Sequence, residues 1–289
     1  MDLASRPAMT RDDVERGYNN RAAVPEHPYW LDRFATQSRD AALSLSPREI
    51  RYGGGPKETL DLFVPADPAR GTLMFIHGGY WRALDKADHA FVAPAFVAEG
   101  IAVAVINYDL CPDVTIATIV EQCRRAVTWV AREGPQHGAP PPLVIAGHSA
   151  GGHLAAMMIA TDWRAYGFDA APFVASVSLS GVHDLEPLVL FAHNVDFRLD
   201  EAAARAVSPV NHLPQAEVPL IIAFGERETS EFARQAQLLW DAWPRNRRPR
   251  HGGPMSIAGH HHFSVVLEYA DPDSALTRET LALFPRARG

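Results

Sequence analysis

Apolar positions along this chain come in short bursts, and their form changes with position. Residues 73–76 make an unbroken apolar run that stops at His77-Gly78-Gly79. A strand covered on both faces gives such a run, where a half-exposed strand would alternate. Residues 102–106, 143–146 and 220–224 repeat the form, 174–179 reads as a further strand, and 255–258 as a last, shorter one. Between them the period shifts: apolar residues at 119, 120, 123, 126, 127 and 130 fall on one helical stripe. Helices are also expected over HLAAMMIAT, over 232–243 and, to close the chain, over 275–284. Residues 49–52 and 60–64 read as two short strands parted by Gly53-Gly54-Gly55-Pro56. Strands alternating with helices predict an α/β fold, with a mainly parallel central sheet and helices on both faces.

Two stretches stand outside this alternation. Residues 1–45 are polar and helix-prone, with aromatic residues in HPYWLDRF, and read as an N-terminal arm or cap. Residues 183–214 read as an insertion completing a small cap over the site. No internal repeat and no long linker interrupts the pattern, so residues 1–289 are read as a single domain. With 47% hydrophobic and 21% charged residues, the composition is that of a globular protein.

A formal net charge of −7 without a concentrated basic face argues against nucleic acid as a partner. The one basic cluster, at 245–250, is broken by Asn246 and Pro249 and reads as a solvated loop. Cys111 and Cys123 are the only cysteines, which implies neither a disulfide framework nor a Cys-rich zinc site. The first twenty residues hold several charges and no apolar h-region, and no apolar run approaches the ~18 residues of a membrane span. The expected location is the cytoplasm, with no membrane partner.

The chemistry concentrates at Gly147-His148-Ser149-Ala150-Gly151, which fits G-x-S-x-G. This pattern is weak alone, because short Gly/Ser turns are common. Here an apolar strand precedes it and a helix follows, the context of the nucleophile elbow in the α/β-hydrolase fold. A serine hydroxyl needs a base to remove its proton, and in this fold the acid and then the histidine follow the serine in the chain. His260, His261 and His262 follow the last expected strand, and each is a candidate. Adjacent side chains diverge and no acidic cluster joins them, so no metal is expected there.

The loop after 220–224 offers Glu226, Glu228 and Glu231 and no aspartate. Glu228 is preferred as the acid that orients the histidine, with Glu226 its main rival. Asp184 is a lesser candidate that supports a loop. The tetrahedral intermediate needs preorganised amides. Ala150, directly after the serine, supplies one, and the Gly78-Gly79 turn supplies the rest. Tyr80 has one more donor to offer, and Trp81 either lines an aromatic pocket or packs the loop onto the body. His148 is read as a support of the elbow, and Cys111 as a small buried residue.

His77-Gly78-Gly79-Tyr80-Trp81 is the HGGxW form of the oxyanion loop and resembles that of the kynurenine formamidases, or arylformamidases. The similarity runs from YNNRAAVP near the start to the end of the sheet, and Glu231 to Gln235 is similar to that family's EFxRQ stretch. The resemblance implies that Glu228 is the acid where relatives carry Asp, and that the family's final His-Phe pair is His262-Phe263. It implies a cofactor-free serine hydrolase acting on a small acyl substrate such as N-formylkynurenine. A short-chain carboxylester is the alternative substrate. A non-catalytic ligand-binding homologue and a metal-dependent amidohydrolase built on the His-rich tail are the remote ones. A homodimer stays open as the assembly.

Overall fold

A computed structural model describes residues 9–248 and 252–284. Residues 1–8 of the expected arm, and Pro249 and Arg250 of the basic loop, lie outside the described residues. The arm consists of α1 (Arg11–Tyr18), α2 (Asn20–Ala23) and α3 (His27–Leu45). Thr10 starts α1 with a reciprocal cap: its side chain accepts the Asp13 amide while the Asp13 carboxylate accepts the Thr10 amide. At the far end of α3, Ser46 turns left-handed at φ 47° and stops the helix.

The strands are β1 (Arg48–Arg51), β2 (Thr59–Phe63), β3 (Thr72–Ile76), β4 (Ala102–Ile106), β5 (Leu143–His148), β6 (Ala175–Leu179), β7 (Leu220–Gly225) and β8 (Met255–Ile257). Among the described residues they form one sheet in the order β1-β2-β4-β3-β5-β6-β7-β8. The β1–β2 and β2–β4 pairs are antiparallel, and the pairs from β4 to β8 are parallel. The sheet is thus mainly parallel with an antiparallel edge, the arrangement of an α/β-hydrolase fold.

The remaining helices are α4 (Ala93–Ala98), α5 (Ile116–Arg132), α6 (Ala150–Ile159), α7 (Asn194–Phe197), α8 (Glu201–Ala206), α9 (Ser230–Ala242) and α10 (Ala275–Leu281). They explain the unbroken runs. Met74, Ile76, Ala104, Ile145 and Ile222 face the core shared with α5, α6 and α9. Their chain neighbours Phe75, Val103, Val105, Val144 and Val177 face the core shared with α3, α4 and α10. Strands β3, β4, β5 and β7 alternate between two apolar interiors, so their sequences show no polar face. On β6 the inward positions are small instead: the Ser176 and Ser178 hydroxyls donate to the carbonyls of Ala155 and Gly152 and hold α6 close.

Between β6 and β7 the expected insertion is present as α7, α8 and short turns. Among the described residues no helix is long and apolar enough to cross a membrane. Because β3 and β5 are parallel neighbours with Ile76 opposite Gly147, the loops leaving them emerge side by side at the carboxyl edge of the sheet. Open α/β sheets bind their ligands at that edge.

Candidate active site

Ser149 sits between β5 and α6 at φ 58°, ψ −118°, a left-handed conformation that a side chain tolerates only under constraint. The constraint is the close approach of two elements. A Cβ at position 151 would lie 1.9 Å from the Ile76 carbonyl oxygen, so only glycine lets α6 start this near β3. The turn lifts the Ser149 hydroxyl out of the sheet toward the loop that follows β8.

There the hydroxyl lies 2.9 Å from His262 Nε2, to which it donates. On the other side of the ring, Nδ1 donates to Glu228 Oε2 at 2.7 Å. Glu228 is fully buried and fixed through its second oxygen, which accepts the Gly225 amide at 2.7 Å and the Ser180 hydroxyl. A carboxylate held by two donors and an imidazole cannot rotate away, so the histidine tautomer is set. Phe232, from the first turn of α9, packs 4.5 Å from the His262 ring.

The other candidates separate cleanly. Glu226 accepts the Gly259 amide at 2.9 Å, away from the imidazole. Asp184 accepts the Glu186 amide and so supports its own loop. His260 faces Glu268 at 3.2 Å, and His261 Nδ1 accepts the amides of Phe263 and Ser264. His148 donates from Nε2 to the His262 carbonyl at 2.9 Å, tying the elbow to the loop that bears His262. Burial, reinforced by the neighbouring His262 and His89, holds its pKa well below that of an ordinary histidine. Cys111 is buried, and burial pushes its thiol up to about 11, too high for a nucleophile at neutral pH.

The Gly78-Gly79 turn passes directly over the serine: a Cβ on Gly78 would lie 3.2 Å from Ser149 Cβ. Gly79 has φ 109°, and a Cβ there would strike the Ala83 carbonyl at 2.0 Å. Tyr80 and Trp81 continue left-handed at φ 51° and 55°, so the whole loop is held under strain. What holds it is His77. Its Nδ1 bonds the Gly78 carbonyl and its Nε2 the Asn107 side-chain oxygen, while Tyr108 stacks on its ring at 4.2 Å and donates to its carbonyl. Ala150 opens α6, and the first amides of a helix have no partner within it.

Trp81 takes the second of its two expected roles. Its ring is 0% exposed and donates from Nε1 to His153 Nδ1 at 3.2 Å, so it packs the loop onto the body and lines no pocket. An indole has one polar atom, and here a buried histidine satisfies it. Tyr80 does line the pocket, but its hydroxyl donates to the Tyr18 carbonyl and is not free for substrate.

The serine opens into a pocket. Leu31, Phe34, Phe191 and Phe263 give it apolar walls, and Asn20, Arg21 and His193 give it polar ones. The arm contributes Asn20, Arg21, Leu31 and Phe34, and the insertion contributes Phe191 and His193, so both form a cap over the same chain's serine. Sequence reasoning missed these lining residues and Ser180. The aromatic residues of the arm were a signal that it covers something, but nothing local marks which face it turns inward.

A serine at a strand-to-helix elbow, with carboxylate and imidazole arriving from later strands of a parallel sheet, defines the class: this chain is an α/β-hydrolase-fold enzyme of serine-hydrolase type. The BD-FAE family model matches residues 60–187. The chain is 27% identical to the kynurenine formamidase of Salmo salar, over 96% of its own length and 98% of the relative's. It is 28% identical to that of Danio rerio, over 97% and 92%. Among solved structures, a candidate thioesterase from Silicibacter sp. TM1040 superposes with a TM-score of 0.81 at 34% identity, covering 94% of this chain and 98% of that one. The chain is thus kynurenine formamidase-like, an α/β-hydrolase similar to those enzymes over nearly its whole length.

Proposed function

We propose that this enzyme hydrolyses aryl formamides of the N-formylkynurenine type through a formyl-enzyme on Ser149. The Ser149 oxygen attacks the formyl carbon while His262 Nε2 takes its proton. The tetrahedral oxyanion lies against the amides of Ala150, Gly78 and Gly79, each such donor lowering the barrier by roughly 3 kcal/mol. His262 returns the proton to the departing aryl amine, and the C–N bond breaks. Water then attacks the formyl ester, giving its proton to His262, and formate leaves as Ser149 recovers its hydrogen. Glu228 keeps the ring oriented and stabilises the imidazolium in both halves. The observation that carries this reading is the unbroken serine–imidazole–carboxylate relay, at 2.9 and 2.7 Å, in the floor of the pocket. The full-length similarity to formamidases supports the formamide as substrate.

A short-chain ester is the second reading, because the same relay cleaves an easier leaving group and the Silicibacter neighbour carries a thioesterase description. The test compares kcat/KM for N-formylkynurenine and para-nitrophenyl acetate, with Ser149→Ala as blank and a fluorophosphonate probe to count active serine. Turnover of the formamide at the higher kcat/KM supports the first reading. A labelled, folded enzyme that cleaves acetate esters and leaves the formamide untouched overturns it in favour of the second.

The same proposal needs no cofactor and places the reaction in the cytoplasm, where the two buried free thiols stay reduced.

A further inference from the structure

The pocket lining is unbalanced in charge. Two arginines, Arg21 and Arg82, reach it, and no aspartate or glutamate does among the described residues. Arg82 is already neutralised, its Nε 2.6 Å from Asp196 Oδ2. A carboxylate of the arm, Glu15, is also engaged, by the Ala192 amide at 2.7 Å and the Asn19 side chain. Arg21 has no such partner among the described residues and stands at the pocket with its charge unspent. Beside it, Asn20 is only 4% exposed, lines the same pocket, and its Nδ2 finds no acceptor. A buried amide donor without a partner is costly, and the oxygens of a bound ligand would relieve that cost.

We infer that Asn20 and Arg21 form a carboxylate-binding end of the catalytic pocket, so that the enzyme selects acyl substrates carrying an anionic tail. The inference rests on the acyl-transfer reading of Ser149 and extends it to the leaving group. A guanidinium with a neighbouring amide donor matches the two oxygens of a carboxylate. The lack of an acidic lining residue adds a second, sharper consequence: an ammonium group on the same tail finds no counter-charge. For an amino-acid-type formamide, the carboxylate is recognised and the amino group is not.

The experiment measures kcat/KM for N-formylkynurenine, its des-amino analogue, and the primary carboxamide of that analogue. The same acid–carboxamide pair is made with an acetate ester in place of the formamide. The wild type is expected to prefer each acid over its carboxamide by about 10- to 100-fold, the usual worth of a charge-assisted hydrogen bond. N-formylkynurenine and its des-amino analogue should differ by less than about threefold. In Arg21→Ala the acid-to-carboxamide ratio should collapse toward one, mainly through KM, and Arg21→Lys should restore part of it. Asn20→Asp, which sets a negative charge where the donor was, should invert the preference.

Circular dichroism and fluorophosphonate labelling establish that each variant is folded and armed. A wild-type ratio near one in both pairs overturns the inference, as does a ratio that Arg21→Ala leaves in place. If neither formamide is cleaved but the ester pair shows the ratio and its collapse, the formamide reading fails and the carboxylate site stands.

Discussion

At the scale of single residues, Glu228 shows how much of the site is positioning. Its carboxylate accepts from His262, from Ser180 and from the Gly225 amide, so removing its charge and removing its support should differ in size. Glu228→Gln presents an amide where the imidazole needs an acceptor and should lower kcat by about a thousandfold or more. Ser180→Ala deletes one of the two fixing bonds and should cost about tenfold in kcat, with KM and melting temperature near those of the wild type. Steady-state kinetics beside a thermal melt decide both, and equal losses in the two variants would contradict this division of roles. Trp81 tests the opposite case, a residue beside the site without a part in binding. Trp81→Phe leaves His153 Nδ1 without its donor, and should lower stability by about 1–3 kcal/mol while substrate KM holds. A raised KM at unchanged stability would return Trp81 to the pocket.

At the scale of elements, one buried side chain ties α1 to α9. Tyr18, fully buried, accepts on its hydroxyl from Gln235 at 2.6 Å and Arg234 at 3.1 Å, both on α9, while its carbonyl takes the Tyr80 hydroxyl. Thr229, next to Glu228, adds a bond to the Gly17 carbonyl. The arm therefore bridges the loop bearing the acid and the loop over the serine. Tyr18→Phe removes the acceptor that Gln235 and the half-buried Arg234 share and should loosen α1 and α2, raising KM severalfold and exposing the arm to limited proteolysis at low protease. An unchanged digestion pattern would mean that packing of α1 alone holds the arm.

This tie also marks what could be read from residues in order. The central strands β3, β4, β5 and β7 were legible as compact apolar runs, and the elbow because its glycines adjoin the serine. His262 and Glu228 were legible only through chain order and resemblance, since three histidines and three glutamates compete locally. The short α4 left no stripe, because Ala93, Ala95 and Phe96 bury it in one interior without a polar face to contrast. The lock between Tyr18 and Gln235 joins positions far apart in the chain, and nothing near either residue announces the other.

At the scale of the whole molecule, an unusual number of histidines are buried and held neutral, which makes acid the natural way to unfold this protein. Burial lowers His89 to about 3, His153 to about 4 and His183 to about 3. The bonding agrees with the neutral form: His153 accepts from Trp81 on Nδ1 and donates to the Val207 carbonyl from Nε2, so a second proton must break the first bond. His89 has no partner on Nε2 and stacks among Phe34, Phe75 and Phe91, where a charge would be unsolvated. In the unfolded chain all three return to an ordinary value of about 6.5. Between that value and the depressed ones the unfolded state binds more protons, so stability rises with pH. It is complete above about 6.5 and is lost as pH falls toward 3 to 4, each histidine contributing up to about 1.4 kcal/mol per pH unit in that window. The lowered carboxylates, such as Asp85 beside Asn107 and Lys57, act in the same direction but only below their ordinary range near 4, whereas Asp61 and Asp88, raised by burial, act in the opposite direction. Urea unfolding at steps from neutral pH to about pH 5 should therefore show a steep fall in stability. His89→Phe, which places a fourth phenyl ring among three, should flatten that slope by up to one proton. A stability that stays level from neutral pH to about pH 5, in wild type and variant alike, would show that these rings accept protons in the folded state as readily as in water.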